Sequence, residues 1–298
     1  MRQKLNSVFF GLALLTTPNI VWAGEELNAE AIAAYQRGDY AASEKLLTDA
    51  YNKLSSSKGE SHPDTLSVMS SLAFTYFKSG RTTEALLLYE KVLKSRTESL
   101  GERHPDTLGT MGNLAAAYDE LGRTAEALVL EERVLKLRTE TFGEHHPDTL
   151  RAMGNLAGTY DDLGRTTKAL ALEEKVLKQS TEIFGERHPD TLRAMGNLAQ
   201  TYGSLGRTTE ALALKEKVLK LRIEISGERH PDTLTAMGNL AQTYFQLGRI
   251  AEALTQFEKV LKLRTEISGE RHPNTLTAMG NLSATYGVLG RTAEALDL

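Results

Sequence analysis

The pentapeptide His-Pro-Asp-Thr-Leu returns along this chain at one fixed interval, and that interval limits what the chain can fold into. Copies begin at His62, His104, His146, His188, His230 and His272, the last with Asn274 in the third place. Successive starts differ by 42 (104 − 62, 146 − 104, and so on). A period between ~20 and ~50 residues marks an array of stacked units, each burying its apolar face only against its neighbours. Such an array grows in one dimension, so the 298 residues need no single large core. Arrays of this kind commonly present an extended concave surface to a partner, which sets the first expectation about function.

The amino-terminal residues belong to a different class. Arg2 and Lys4 precede a short apolar run from Val8 to Leu15, and Val21-Trp22-Ala23 places compact residues where signal peptidase reads. The pattern predicts a secretory signal over residues 1–23, cleaved after Ala23. The rival reading, a membrane anchor, has an apolar run well short of the ~20 residues that a spanning helix needs. Cleavage removes two positive charges and takes the net charge from −4 to −6 (−4 − 2). A mildly acidic chain without basic runs is a poor partner for nucleic acid. No later segment is long and apolar enough to cross a membrane, so no membrane association is expected after cleavage. The absence of cysteine excludes disulfides, thiol catalysis, thiolate metal sites and a lipoprotein anchor. The expected location is a bacterial periplasm or the medium.

Within one period the residues alternate between two helical patterns. In the unit opening at His104, Pro105 suits the first turn of a helix and Asp106 complements its positive end. Leu108, Met111, Leu114, Ala115, Tyr118 and Leu121 share one helical face. Gly122 predicts a left-handed cap. A second helix carries Ala127, Leu128, Leu130, Val134, Leu135 and Leu137 and ends near Phe142 and Gly143. Methionine recurs at 69, 111, 153, 195, 237 and 279, a stripe that reads as core packing. Turn glycines at 38, 80, 122, 164, 206, 248 and 290 add a degenerate unit before the first His-Pro block, with helices over about 27–37 and 40–53. The expectation is an array over 24–298 of seven units, the first degenerate and the seventh incomplete, in a chain that continues past Leu298 or frays there.

The run Leu108–Leu128 (Leu-x-x-Met-Gly-Asn-Leu-Ala-x-x-Tyr-x-x-Leu-Gly-Arg-x-x-Glu-Ala-Leu) resembles a tetratricopeptide repeat. The 42-residue period and the His-Pro-Asp-Thr-Leu opening resemble the longer variant found in kinesin light chains and in many bacterial arrays. The resemblance implies an all-α, right-handed α-solenoid of helix hairpins that binds a protein or an extended peptide in its concave groove, without catalysis. Two departures stand out. The large aromatic expected in the second helix is Tyr89 and Phe257 in two units, but Glu131, Glu173 and Lys215 in others. The first-helix asparagine is Ser71 in the second unit.

Differences among the copies single out candidate ligand contacts. In the first helices of units three to seven they gather at Gly109, Arg151, Arg193, Thr235, Thr277; at Ala116, Gly158, Gln200, Gln242, Ala284; and at the pairs beginning Asp119, Asp161, Gly203, Phe245 and Gly287. These positions share one side of the helix. The second helices keep Glu132, Glu174, Glu216 and Glu258 fixed, which favours ligand-related variation over drift. Beside the variable side runs a constant Gly-Asn pair containing Asn113, Asn155, Asn197, Asn239 and Asn281. Its glycine costs about 1 kcal/mol in a helix and calls for a steric reason, either a close-approaching backbone or tight packing between first helices. An asparagine offers both an acceptor and a donor on a short arm. The resemblance implies that this ladder holds a bound peptide's main chain; a bond between adjacent helices is the alternative. The candidate peptide-binding set is therefore these five asparagines with Arg151, Arg193, Gln200, Gln242 and Phe245.

Catalytic motifs are missing from the sequence: no nucleophile elbow, phosphate loop or zinc helix. The histidines fall in loops one unit apart, and helices pack ~8–10 Å from each other, too far to share an ion that needs nitrogens at about 2.0–2.1 Å. No metal, cofactor or catalytic residue is expected, and the histidines read as helix starts. The acidic pairs near Asp119 and Asp161 suit a basic ligand segment. Bacterial arrays of the resembling type often precede a caspase-like CHAT protease domain. A sensing or docking region of such a larger protein is the second functional expectation.

Overall fold

The structure, a computed structural model, describes residues 25–297; the expected signal over 1–23 lies outside the described residues. Every regular element among the described residues is an α-helix, and fourteen follow one another as hairpins. They are α1 (Glu25–Gln36), α2 (Tyr40–Lys58), α3 (Pro63–Lys78), α4 (Thr82–Leu100), α5 (Pro105–Glu120), α6 (Thr124–Phe142), α7 (Pro147–Asp162), α8 (Thr166–Phe184), α9 (Pro189–Ser204), α10 (Thr208–Ser226), α11 (Pro231–Gln246), α12 (Ile250–Ser268), α13 (Pro273–Val288) and α14 (Thr292–Leu296). This is an all-α solenoid of repeated hairpins. The described residues fall into two compact halves, divided between Ala152 and Met153.

Local chemistry fixes each boundary. At the start of α5 the His104 Nδ1 accepts the Asp106 N–H at 3.2 Å, so the histidine itself is the cap, and Pro105 occupies the first helical turn. The same bond recurs at His62, His146, His188, His230 and His272. The threonine of the pentapeptide is fully buried, and in two copies it ties down the preceding loop: Thr65 Oγ1 donates to the Gly59 carbonyl at 2.9 Å and Thr149 Oγ1 to the Gly143 carbonyl at 2.8 Å. Gly122 ends α5 with φ +74°, a conformation that side-chain-bearing residues adopt only with strain. Helix α2 runs to Lys58, beyond the expected end near Lys53, because nothing interrupts it before Gly59 at φ +93°.

Packing follows the periodic apolar faces. In the first half Leu108 and Met111 pack with Val134, Leu137 and Ala152. In the second half Leu192 and Met195 join Val218, Leu219, Met237 and Val260. The methionines at 69, 111, 153, 195 and 237 are all buried core residues. Burying side chains of this size stabilises by about 1.5–3 kcal/mol each. An arginine then locks successive repeats: Arg96, 3% exposed, donates to the Asp106 carbonyl, Thr110 Oγ1 and Ser67 Oγ, joining α3, α4 and α5. Helix α8 lacks this lock, with Gln179-Ser180 where α6, α10 and α12 have Leu-Arg.

Candidate functional site

The constant residues of the motif are occupied within the fold. In Leu-Gly-Arg-x-x-Glu, the Arg123 guanidinium lies 4.3 Å from the Tyr118 ring centroid and forks onto Glu126. Arg207 and Arg249 stack in the same way on Tyr202 and Tyr244. The tyrosine hydroxyls reach back one helix: Tyr118 donates to Glu90, Tyr244 to Glu216 and Tyr286 to Glu258. This corrects one inference from the sequence. Glu216 and Glu258 are fixed because they hold the next repeat's tyrosine, so they are no measure of how an idle surface drifts. The exposed second-helix series Leu87, Val129, Ala171, Ala213, Thr255 does vary. Variation therefore occurs on both helices.

The candidate ligand contacts stand as follows. Asn113, Asn155, Asn197 and Asn281 are half-buried and Asn239 is exposed. Gln200 is exposed, while Gln242 and Phe245 are half-buried. Arg151 and Arg193 are each engaged with the first turn of their own helix, through Asp148 at 2.7 Å and Asp190 at 2.9 Å. They neutralise a first-turn carboxylate as well as facing solvent in part.

One rung is tied to a residue from the second helix. The Asn197 amide on α9 donates to the Glu173 carboxyl on α8. A Cβ placed on Gly154 of α7 would stand 3.5 Å from Asn197 Nδ2, an ordinary van der Waals contact, so crowding by the next repeat does not require the glycine at this step. The equivalent Gly196, Gly238 and Gly280 would meet nothing within 4 Å. Burial pushes the Glu173 carboxyl up to about 8, against the pull of the Asn197 hydrogen bond and of the Arg193 charge; Asp161 raises it further.

Glu173 occupies the repeat position where Tyr89 and Phe257 fill the core at 1% exposure. Its own exposure is 2%, and Glu131 in the first half is also buried. Lys215, the next in the series, donates to Thr243 Oγ1 at 2.7 Å, and burial lowers its pKa. Sequence reasoning registered these three as departures from an aromatic pattern. It could not tell that the carboxylates would stay inside.

No group of three or more His, Asp or Glu side chains suited to a metal ion occurs among the described residues. No helix among them is long and apolar enough to cross a membrane.

A family model for the tetratricopeptide repeat matches residues 27–98, 70–140, 132–179, 174–224, 204–266 and 232–298. The chain therefore belongs to the tetratricopeptide repeat family, and its repeats are of the kinesin-light-chain-like type. A Podosopora anserina protein of kinesin light chain type, with nearly identical TPR-like repeats, is 28% identical over 67% of this chain and 94% of its own (TM-score 0.58). BtubC (BKLC) from P. vanneervenii is 22% identical over 84% of this chain and 94% of its own (TM-score 0.57). NprR, solved in complex with its cognate peptide NprX, shares the fold at 17% identity over 91% of this chain and 76% of its own (TM-score 0.65). No curated protein sequence matches the chain.

Proposed function

We propose that this chain is a noncatalytic scaffold that binds an extended peptide, or an extended segment of a protein, along the groove lined by its first helices. The carrying observation is an accessible strip of amide side chains in the second half. Asn155, Asn197, Gln200, Asn239, Gln242 and Asn281 are all exposed or half-buried and recur at the repeat interval. Within α9 and α11 the asparagine and glutamine stand three residues apart, on neighbouring turns of one face. Amides donate and accept, so they suit a peptide main chain whatever its side chains. The solved pairing of NprR with NprX gives a precedent for peptide capture on this fold. Phe245 would take an apolar ligand residue at the same surface. The reading includes export: residues 1–23 direct the chain out of the cytoplasm and are removed.

A displayed library of random linear peptides, panned on the purified chain, tests the proposal. Enriched peptides should lose binding when Gln200, Gln242 and Phe245 are changed together to alanine, and keep it in a control with Glu174 changed to alanine. Peptides indifferent to the triple change, or no enrichment, would overturn it.

A further inference from the structure

Helix α8 turns a polar face inward where a sister helix turns an apolar one. Glu173, Gln179 and Ser180 are all buried. The same three positions of α12 carry Phe257, Leu263 and Arg264, and the first two are buried apolar side chains. Apolar side chains gain by leaving water, whereas a buried polar group must recover its lost hydration through hydrogen bonds. Glu173 Oε2 is shielded from solvent and has no hydrogen-bond partner. The face that α8 offers its neighbours is thus less favourable than that of α12.

The ties from α8 to α9 are weak for the same reason. The Thr191 hydroxyl donates to the Ser180 carbonyl at 3.1 Å, and the Asn197 amide donates to Glu173. Burial pushes that carboxyl up to about 8, so near neutral pH the second bond joins two uncharged groups. One repeat on, the ties from α10 to α11 carry charge: Arg222 donates to Asp232 Oδ2 at 2.9 Å and Lys215 to Thr243 Oγ1 at 2.7 Å. Charge-assisted bonds are about twice as strong as neutral ones. Asp190, the counterpart of Asp232, is held at 2.9 Å by Arg193 of its own helix and not by α8.

In a stack of repeats stability is close to a sum of unit and nearest-neighbour contributions, so the stack parts first at its weakest contact. We infer that the α8–α9 contact is a built-in hinge of the second half, which opens transiently in the native state while the α10–α11 contact stays shut. Asn155 stands on α7 and Asn197 on α9, so the opening falls between two rungs of the amide strip. A peptide gripping both rungs would hold the hinge closed, because whatever binds only the closed form stabilises it. That is how the hinge would serve the proposed peptide-binding role.

The chain has no cysteine, so a single introduced thiol reports opening. Val176 on α8 and Val218 on α10 occupy the same repeat position and are each 6% exposed. Val176→Cys and Val218→Cys in the full chain are therefore a matched pair. Under native conditions a soluble disulfide reagent should label the first at least about tenfold faster than the second. Adding Gln179→Leu and Ser180→Arg to Val176→Cys should slow it to the rate of Val218→Cys. Adding Leu221→Gln and Arg222→Ser to Val218→Cys should speed it to match Val176→Cys. Hydrogen exchange in the unsubstituted chain guards against a folding artefact. In denaturant too dilute to unfold the chain, amides of α8 and the first turn of α9 should exchange faster than their counterparts in α10 and α11. Equal labelling of the matched pair, rates indifferent to the exchanged residues, or uniform exchange from α8 to α11 would overturn the hinge. None of these measurements involves a peptide, so failure of the display experiment and failure of the hinge are told apart.

Discussion

The Asn197 amide donates to the buried Glu173 carboxyl across the α8–α9 contact. One side chain belongs to the constant ladder of the first helices, the other to the most variable core position of the second. The bond joins what the repeat keeps to what it changes, and it makes this repeat the place where surface chemistry and stability are coupled.

Glu173 should make stability fall with rising pH. Its carboxyl ionises near 4.5 when exposed and at about 8 in the fold. Between those values the native state binds more protons than the unfolded chain, so unfolding free energy declines as pH rises through the window and levels off above it. The contribution lost is on the order of 3–5 kcal/mol. Glu173→Gln should flatten this part of the profile and raise the midpoint of thermal melts above about pH 8, with little change near about pH 4. A parallel profile for the variant and the parent would refute the assignment.

Replacing the locking arginine should loosen one junction. Arg96→Met removes three hydrogen bonds that join α3, α4 and α5 and leaves the Thr110 hydroxyl with one partner fewer. The expected cost is about 2–4 kcal/mol, read from denaturant titration.

The opposite change should stabilise α8. Gln179→Leu with Ser180→Arg restores the pair found at Leu137-Arg138, Leu221-Arg222 and Leu263-Arg264. Leu137 and Leu263 are buried, so the site is shaped for an apolar side chain. The double variant should gain about 1–2 kcal/mol, visible as a higher melting temperature. Loss of stability would mean that the backbone there has adjusted to Gln179.

Capping by histidine predicts a graded series. His188→Ala removes the acceptor for the Asp190 N–H and should cost about 1 kcal/mol, whereas His188→Asn keeps an acceptor and should cost less. Hydrogen exchange at the Asp190 and Thr191 amides measures the local effect.

The period, the hairpin, the capping glycines and the methionine core were legible in the sequence, because each is a short-range preference written six or seven times over. Proline and glycine fix backbone angles wherever they stand, and apolar spacing names the buried face. The roles of Tyr118, Arg123 and Glu126, and the reason Glu216 stays constant, were not legible. They depend on which side chains meet across successive helices, residues 28 apart in the chain for Tyr244 and Glu216. The fate of Glu173 lay equally beyond the sequence. A carboxylate at an aromatic position can turn to water or remain inside, and only the packing of α7 and α9 around it kept it buried, bonded to Asn197 and short of one donor. Local backbone chemistry is set by neighbours in the chain, whereas burial and pairing are set by neighbours in space.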